Sequence, residues 1–402
     1  MFRPANWSVL IPVLCVLFGS ISVPIQAQDT TAWTPPGWVI EPDNLEKFRR
    51  EKALPKSFAD LRAPNPSTAQ KDFAKRVVHY HMSHLLTESQ NHPKEVIDRF
   101  LQEFASTSPA VWDAMLAEVA QRVPELLDHP NPEVRVNAIN LLNHCSVSKP
   151  GTGVNPTPPK PYVPAMDVLI PIASNQSQPW EVRNLAVVGL ARILRDGEPG
   201  TNQRSTIAAA LVPLLLDAKG EMFWYRWRIV EALGYSGSAT LVSGAPAALE
   251  ALMAVLSDKT EDFRVRSEAA LAISRLNWTA GVNEPLIMEK VGELVEQIGT
   301  AQAQSKSPNS QFWTVCMVRI YVAFRPQYAD DAKVRKWGFL YKANNVPAST
   351  AALWKAVFPI TLPFLTQSAP GPIAPNRLDD LKKVIATPVQ PRTVHTSGKV
   401  MY

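Results

Sequence analysis

Seven histidines occur in the 402 residues, and four of them (His79, His81, His84 and His92) fall with Met82 in "HYHMSHLLTESQNH". Imidazole and thioether groups ligate copper or haem iron. On a helix, His81 and His84 share a face as i and i+3, whereas His79 points about 200° away from His81. No CxxCH motif and no second histidine cluster completes a ligand set. His81 and His84 are therefore the candidate metal pair, weighed against a polar helix face near a capping end. "GYSGS" (234–238) resembles a nucleophile elbow, but its fifth residue is Ser238 and it follows a helical pattern, not a strand. A glycine-assisted helix stop accounts for it. The acidic pairs Asp330–Asp331 and Asp379–Asp380 lie in loop-like or tail sequence, and HExxH and glycine-rich phosphate loops are absent. No catalytic residue, resident metal or cofactor is expected.

A second chemical candidate is "MFWYRWRIVEALG" (222–234), with four aromatics and two arginines between Phe223 and Arg228. Interleaved arginine and tryptophan suit a surface that stacks bases, but they also suit a buried aromatic helix. The elements around the stretch discriminate. It aligns without gaps with "NPEVRVNAINLL" (131–142), "PWEVRNLAVVGL" (179–190) and "DFRVRSEAALAI" (262–273). The fifth residue is always arginine: Arg135, Arg183, Arg226 and Arg266, spaced by 48, 43 and 40 residues. Small or apolar residues recur three, six and seven places later, which puts them on one helical stripe.

An apolar helix precedes each copy, in "VWDAMLAEVAQRVPELLD", "YVPAMDVLIPIAS", "STIAAALVPLLLD" and "AALEALMAVLSD", and Pro171 and Pro213 are expected to bend two of them. A helix pair repeating every 40–47 residues is the period of HEAT and armadillo arrays. The "PEVRxxAxxxL" segments resemble the second helix of a HEAT repeat. That resemblance implies an all-α fold, a right-handed α-solenoid of antiparallel helix pairs, with atypical terminal repeats. It also implies a hydrogen-bond ladder between neighbouring repeats, built on the motif arginine and an acid or amide four places before it. Asn131 and Asp262 stand at that place in the outer copies. Pro179 and Met222 stand there in the middle ones, so the ladder is expected to lapse mid-array.

The chain divides accordingly: 1–27 a signal peptide; 28–70 an extended, proline-containing segment; 71–109 N-terminal capping helices; 110–280 the HEAT-like repeats; 281–369 degenerate helical repeats; 370–402 a flexible tail with a short helix near Leu378–Ile385. An insertion at 146–164 separates the first two repeats. The signal reading rests on Arg3, the apolar run Val9–Phe18 and a cleavage point after Ala27. No later apolar run is long enough to span a bilayer. Removing Arg3 lowers the net charge from +5 to +4, a mildly basic balance. Cys145 and Cys316 read as buried free thiols, because two cysteines make no disulfide framework.

These readings converge on an exported scaffold, periplasmic or secreted, that binds a protein or other extended partner through its concave surface. Nucleic acid is not expected as partner. The alternative is a metal-handling or enzymatic envelope protein with a site near His79–His92. Within the repeat alignment, Tyr225 and Arg226 become scaffold positions, and the places one, two and five after the arginine vary freely. In the third copy those places hold Trp227, Arg228 and Glu231, with Trp224 four before Arg228 on the same face. Trp224, Trp227, Arg228 and Glu231 are the candidate partner-binding residues, against the alternative that the tryptophans fill the junction between repeats.

Overall fold

The computed structural model describes residues 33–86, 93–148, 158–278, 282–325, 337–342, 345–367 and 369–386. The signal-peptide reading and His92 therefore lie outside the described residues. From Pro36 onward these residues form one compact unit.

Helices α1 (Pro42–Lys52), α2 (Pro55–Leu61), α3 (Thr68–Ser83) and α4 (Pro93–Ser106) open the unit. They are followed by α5 (Pro109–Arg122), α6 (Pro132–His144), α7 (Met166–Ser174) and α8 (Trp180–Asp196). Then come α9 (Thr201–Asp217), α10 (Phe223–Tyr235), α11 (Ala247–Ser257) and α12 (Phe263–Arg275). The last are α13 (Glu284–Gln304), α14 (Gln311–Phe324), α15 (Ala348–Thr361), α16 (Pro363–Thr366) and α17 (Pro375–Ile385). No β-strand occurs among the described residues. From α3 onward the helices pack in two rows. The first helices follow as α3 on α5, α5 on the short turn Val163–Ala165 that leads into α7, then α7, α9, α11, α13 and α15 in turn; the second helices follow as α4, α6, α8, α10, α12, α14 and α16. The main contacts of each helix pair are thus with its neighbours, as in a solenoid.

Local chemistry starts these helices where the sequence changes character. Proline, whose missing N–H is harmless in a first turn, stands there in α1, α2, α5, α6, α13 and α17. Ser67 and Gln70 form a reciprocal capping box on α3. Both α7 and α9 continue through Pro171 and Pro213. The stretch 28–70, expected to be extended, instead holds α1 and α2. These two are short, and tertiary contacts fix them: Leu45 and Phe48 are buried, Arg76 pairs with Glu51, and Lys52 with Glu103.

The core is the stripe that the repeat alignment marks: Val134, Val182, Tyr225 and Val265, with the small or apolar residues three and seven places after each arginine. Gly234, eight places after Arg226, must be small. A Cβ there would lie 2.7 Å from the Cα of Ala272, so α10 and α12 approach backbone to backbone. Gly234→Ala is expected to destabilise by about 1–3 kcal/mol, read by urea unfolding, because no flexible side chain can yield.

The ladder runs where the sequence left it in doubt. Arg226 pairs with Glu261 at 2.6 Å and also donates to the Leu215 carbonyl, and Arg183 lies 3.7 Å from Glu221. Glu221 and Glu261 stand five places before the next motif arginine, one earlier than expected. Asn131 and Asp262 serve their own helices instead, accepting from the backbone N–H of Glu133 and Arg264. Arg266 turns to the Leu256 carbonyl and Gln297, and Arg135 to the His129 carbonyl. An acid at the helix start is drawn to the free N–H groups of its first turn, so the ladder falls to the loop residue before it.

Two further expectations need adjustment. The insertion is pinned at its base, where Ser146 bridges Pro161 and Val147 N–H donates to the Lys160 carbonyl. The start of the tail is packed, not loose: buried Gln302 bonds the Gly371 carbonyl and the Ile373 N–H. Leu378 and Leu381 are buried, and Gly299 and Gly292 leave room for Leu378 and Ile385. Residues 387–402 lie outside the described ones.

Candidate functional site

Trp227, Glu231 and Tyr235 are spaced by four on α10 and so share one stripe. This stripe faces the line of second helices. Trp227 Nε1–H donates to Glu268 Oε2 at 2.7 Å, reaching across to α12. Glu268 is 1% exposed and is also paired with Arg275 at 3.2 Å and with Arg319 of α14. Burial pushes its carboxyl pKa up, but Arg319, Arg275 and the Trp227 N–H together hold it below the usual carboxylate range. The guanidiniums of Arg228 and Arg319 lie 4.9 and 4.5 Å from the Trp227 ring centre, within cation–π range. Arg228 in turn pairs with Glu231 at 2.7 Å, its side chain 40% exposed. One buried carboxylate thus fixes an indole and two guanidiniums drawn from three successive repeats.

Trp224 does not join this face. Its ring lies 4.4 Å from that of Trp180, at the start of the preceding second helix, and so fills a junction between repeats. Trp224 and Trp227 stand only about 60° apart around the helix, and their rings part because they lean toward different neighbours, Trp224 to α8 and Trp227 to α12. Trp227 also bridges repeats, whereas the Arg228 side chain is 40% exposed against 16% for its partner Glu231. The variable places of the fourth copy are not free either: Ser267, Glu268 and Leu271 are all buried beneath α14.

A cleft of about 850 Å³ continues the stripe at the C-terminal ends of α8, α10 and α12. Tyr235 stands in it between Arg195 and Arg275, whose guanidiniums lie 5.7 and 4.3 Å from its ring. Arg275 also reaches to 5.6 Å from the Trp337 ring. Here "GYSGS" is a helix stop: α10 ends at Tyr235, and Gly237 takes φ +73°. Ser236 is buried and Ser238 donates to the Thr240 carbonyl.

The histidines are placed elsewhere, between α3 and its neighbours. His81 is buried with its Nε2 3.0 Å from Glu103, which also holds Lys52. His79 Nε2 lies 2.8 Å from Glu118, and the His84 ring packs edge-on to Tyr80 at 4.8 Å. His81 and His84 both pack edge-on to Tyr80, at 5.2 and 4.8 Å, while His79 lies on the other side, and Met82 is buried. Among the described residues no group of three or more His, Cys, Asp or Glu side chains could hold a metal ion. Burial lowers the pKa of all three rings, despite the carboxylates beside His79 and His81. The folded state therefore resists protonation that the unfolded chain accepts. Stability is complete above the ordinary histidine range and falls as pH drops below about 6.5, by about 1.4 kcal/mol per pH unit for each ring kept neutral. Urea midpoints should fall between pH 7.5 and 5.5, and His81→Gln should flatten that dependence; an unchanged slope would refute the assignment.

Cys145 and Cys316 are both free and buried, and burial pushes each thiol up to about 12. No helix among the described residues is long and apolar enough to cross a membrane.

The family model described as PBS lyase HEAT-like repeat matches residues 225–258, which is α10 from Tyr225 through α11. The chain carries HEAT-like repeats. No curated protein and no solved structure matches it. The matched HEAT-like unit begins at the buried Tyr225 and contains Trp227, Arg228, Glu231 and Tyr235, so the candidate surface is built on a repeat and not appended to one.

Sequence reasoning found α10 but missed Glu268, Arg275 and Arg319, which organise its surface. Glu268 carried a usable signal: an acid at the place where the third copy has arginine and the others asparagine and leucine. Arg319 carried none, because its helix lies outside the clear repeats.

Proposed function

We propose that this protein is an exported HEAT-like scaffold that binds a protein partner along the face of its second helices. The observation that carries this reading is the Trp227–Arg228–Glu231 surface, whose indole is fixed by the buried Glu268 carboxylate and carries Arg228 against its ring. Aromatic and guanidinium groups whose geometry is already set lose little entropy on binding, which is the property of interaction hot spots. The packed core accounts for Tyr225 and Arg226, yet it gives no reason to order Arg228 at the solvent edge. Export rests on the N-terminal pattern, and the nearly balanced charge speaks against nucleic acid.

The test pairs location with binding. Fractionation of the source cells should place the protein outside the cytoplasm, with a mature N-terminus at Gln28. Cross-linking followed by mass spectrometry should recover one set of envelope proteins. A folded Trp227→Ala/Arg228→Ala variant should lose that set at least tenfold; retention of the set overturns the assigned surface.

A further inference from the structure

The cleft beyond Tyr235 has an uneven charge lining. Lys160, Arg195, Arg204 and Arg275 face two carboxylates, Asp196 and Glu198. Both carboxylates are already engaged, Asp196 by Arg195 at 2.8 Å and Glu198 by Lys160 at 3.0 Å. Arg204 pairs with neither of them, and Arg275 shares the buried Glu268 carboxylate with Arg319. A guanidinium carries five N–H donors. Arg204 gives two, to the Pro199 and Tyr235 carbonyls, and Arg275 gives one to Glu268.

Helix C-termini would ordinarily oppose an anion here, because their free carbonyls carry partial negative charge. At the end of α12 they are covered. Gly338 N–H bonds the Ser274 carbonyl, Trp278 bonds that of Ile273, and Lys342 that of Leu276. Among the described residues, the remaining guanidinium donors of Arg204 and Arg275 have no further hydrogen-bond acceptor.

We propose that this cleft receives an extended acidic segment of the protein partner, with carboxylates about three residues apart. The proposal rests on the second-helix face being the binding face. The spacing follows from the repeat: packed helices lie roughly 8–10 Å apart, and an extended polyproline-type chain returns to the same side every three residues, about 9 Å along. Asp196 and Glu198 at the lining would repel a polymer charged at every unit. A peptide whose acids are spaced avoids them.

Fluorescence anisotropy of the full chain with fluorescein-labelled (Glu-Pro-Pro)4 tests this, with (Lys-Pro-Pro)4 and a heparin oligosaccharide as comparisons. The glutamate peptide should bind at least tenfold tighter than the lysine peptide and weaken as salt rises. Arg204→Gln and Arg275→Gln should each weaken it by roughly tenfold, the loss expected for one charge-assisted contact. Lys160→Gln, on an exposed side chain whose loss leaves the fold intact, should weaken it at least threefold. Equal binding of both peptides, or binding unmoved by all three variants, overturns the proposal. Tighter binding of heparin through the same arginines also overturns it, in favour of an anionic glycan. Loss of the envelope partners in Trp227→Ala/Arg228→Ala, with no binding of the glutamate peptide, would leave the scaffold reading standing and remove this one alone.

Discussion

Glu268→Ala is expected to lower the unfolding free energy by about 3–5 kcal/mol, the largest effect of any single change considered. Truncation leaves Arg275 and Arg319 partly buried without a counter-charge, and it deprives the Trp227 indole of its acceptor. Breaking a buried ion pair from one side carries that order of cost, because the stranded charge keeps its desolvation penalty. Glu268→Gln should cost less, since it retains an acceptor for Trp227 while losing the charge. Both variants should loosen the candidate surface as well as the fold. The measurement is urea unfolding, with hydrogen exchange across α10, α12 and α14 to localise the loss. A deficit below about 1 kcal/mol for Glu268→Ala would show that the carboxylate does not organise these repeats.

Arg226→Ala should cost about 3–4 kcal/mol, and Glu261→Ala a similar amount, because their pair is nearly buried, at 5% and 10% side-chain exposure. In contrast, Asn131→Ala and Asp262→Ala should each cost only about 1 kcal/mol, the loss of a helix cap. The double variant Arg226→Met/Glu261→Met should recover much of the single-variant loss, since no charge is then left buried alone. Equal costs at Asn131 and Glu261 would restore the ladder position that the repeat alignment implies and refute the one found here.

The repeat could be read from one sequence because its constraint is local. An arginine, a buried residue before it and small or apolar residues three, six and seven after it define one face of one helix. Every copy must meet that constraint to stack. The same period placed α5 to α12, and apolar runs placed α13 to α15. Helices α1 and α2 were not legible in this way. They have few apolar residues of their own and are held by Leu45, Phe48 and ion pairs to later helices. The packed start of the tail was hidden for the same reason, since Gln302 and two glycines on α13 hold it across 69 or more residues of sequence.

By itself, the sequence determined the helical repeat, the core stripe and the scaffold role of Tyr225 and Arg226, because helical period and side-chain size are properties of neighbours along the chain. Only the tertiary structure decided the rest. It turned Trp224 and Trp227 to different neighbours, moved the ladder one residue earlier, set His79 apart on Glu118 while His81 and His84 share Tyr80, and gathered Arg204, Tyr235 and Arg275 around one cleft. These outcomes depend on charges and rings from different repeats meeting across a buried interface. Burial sets how strongly such groups must pair, and no single helix contains both partners.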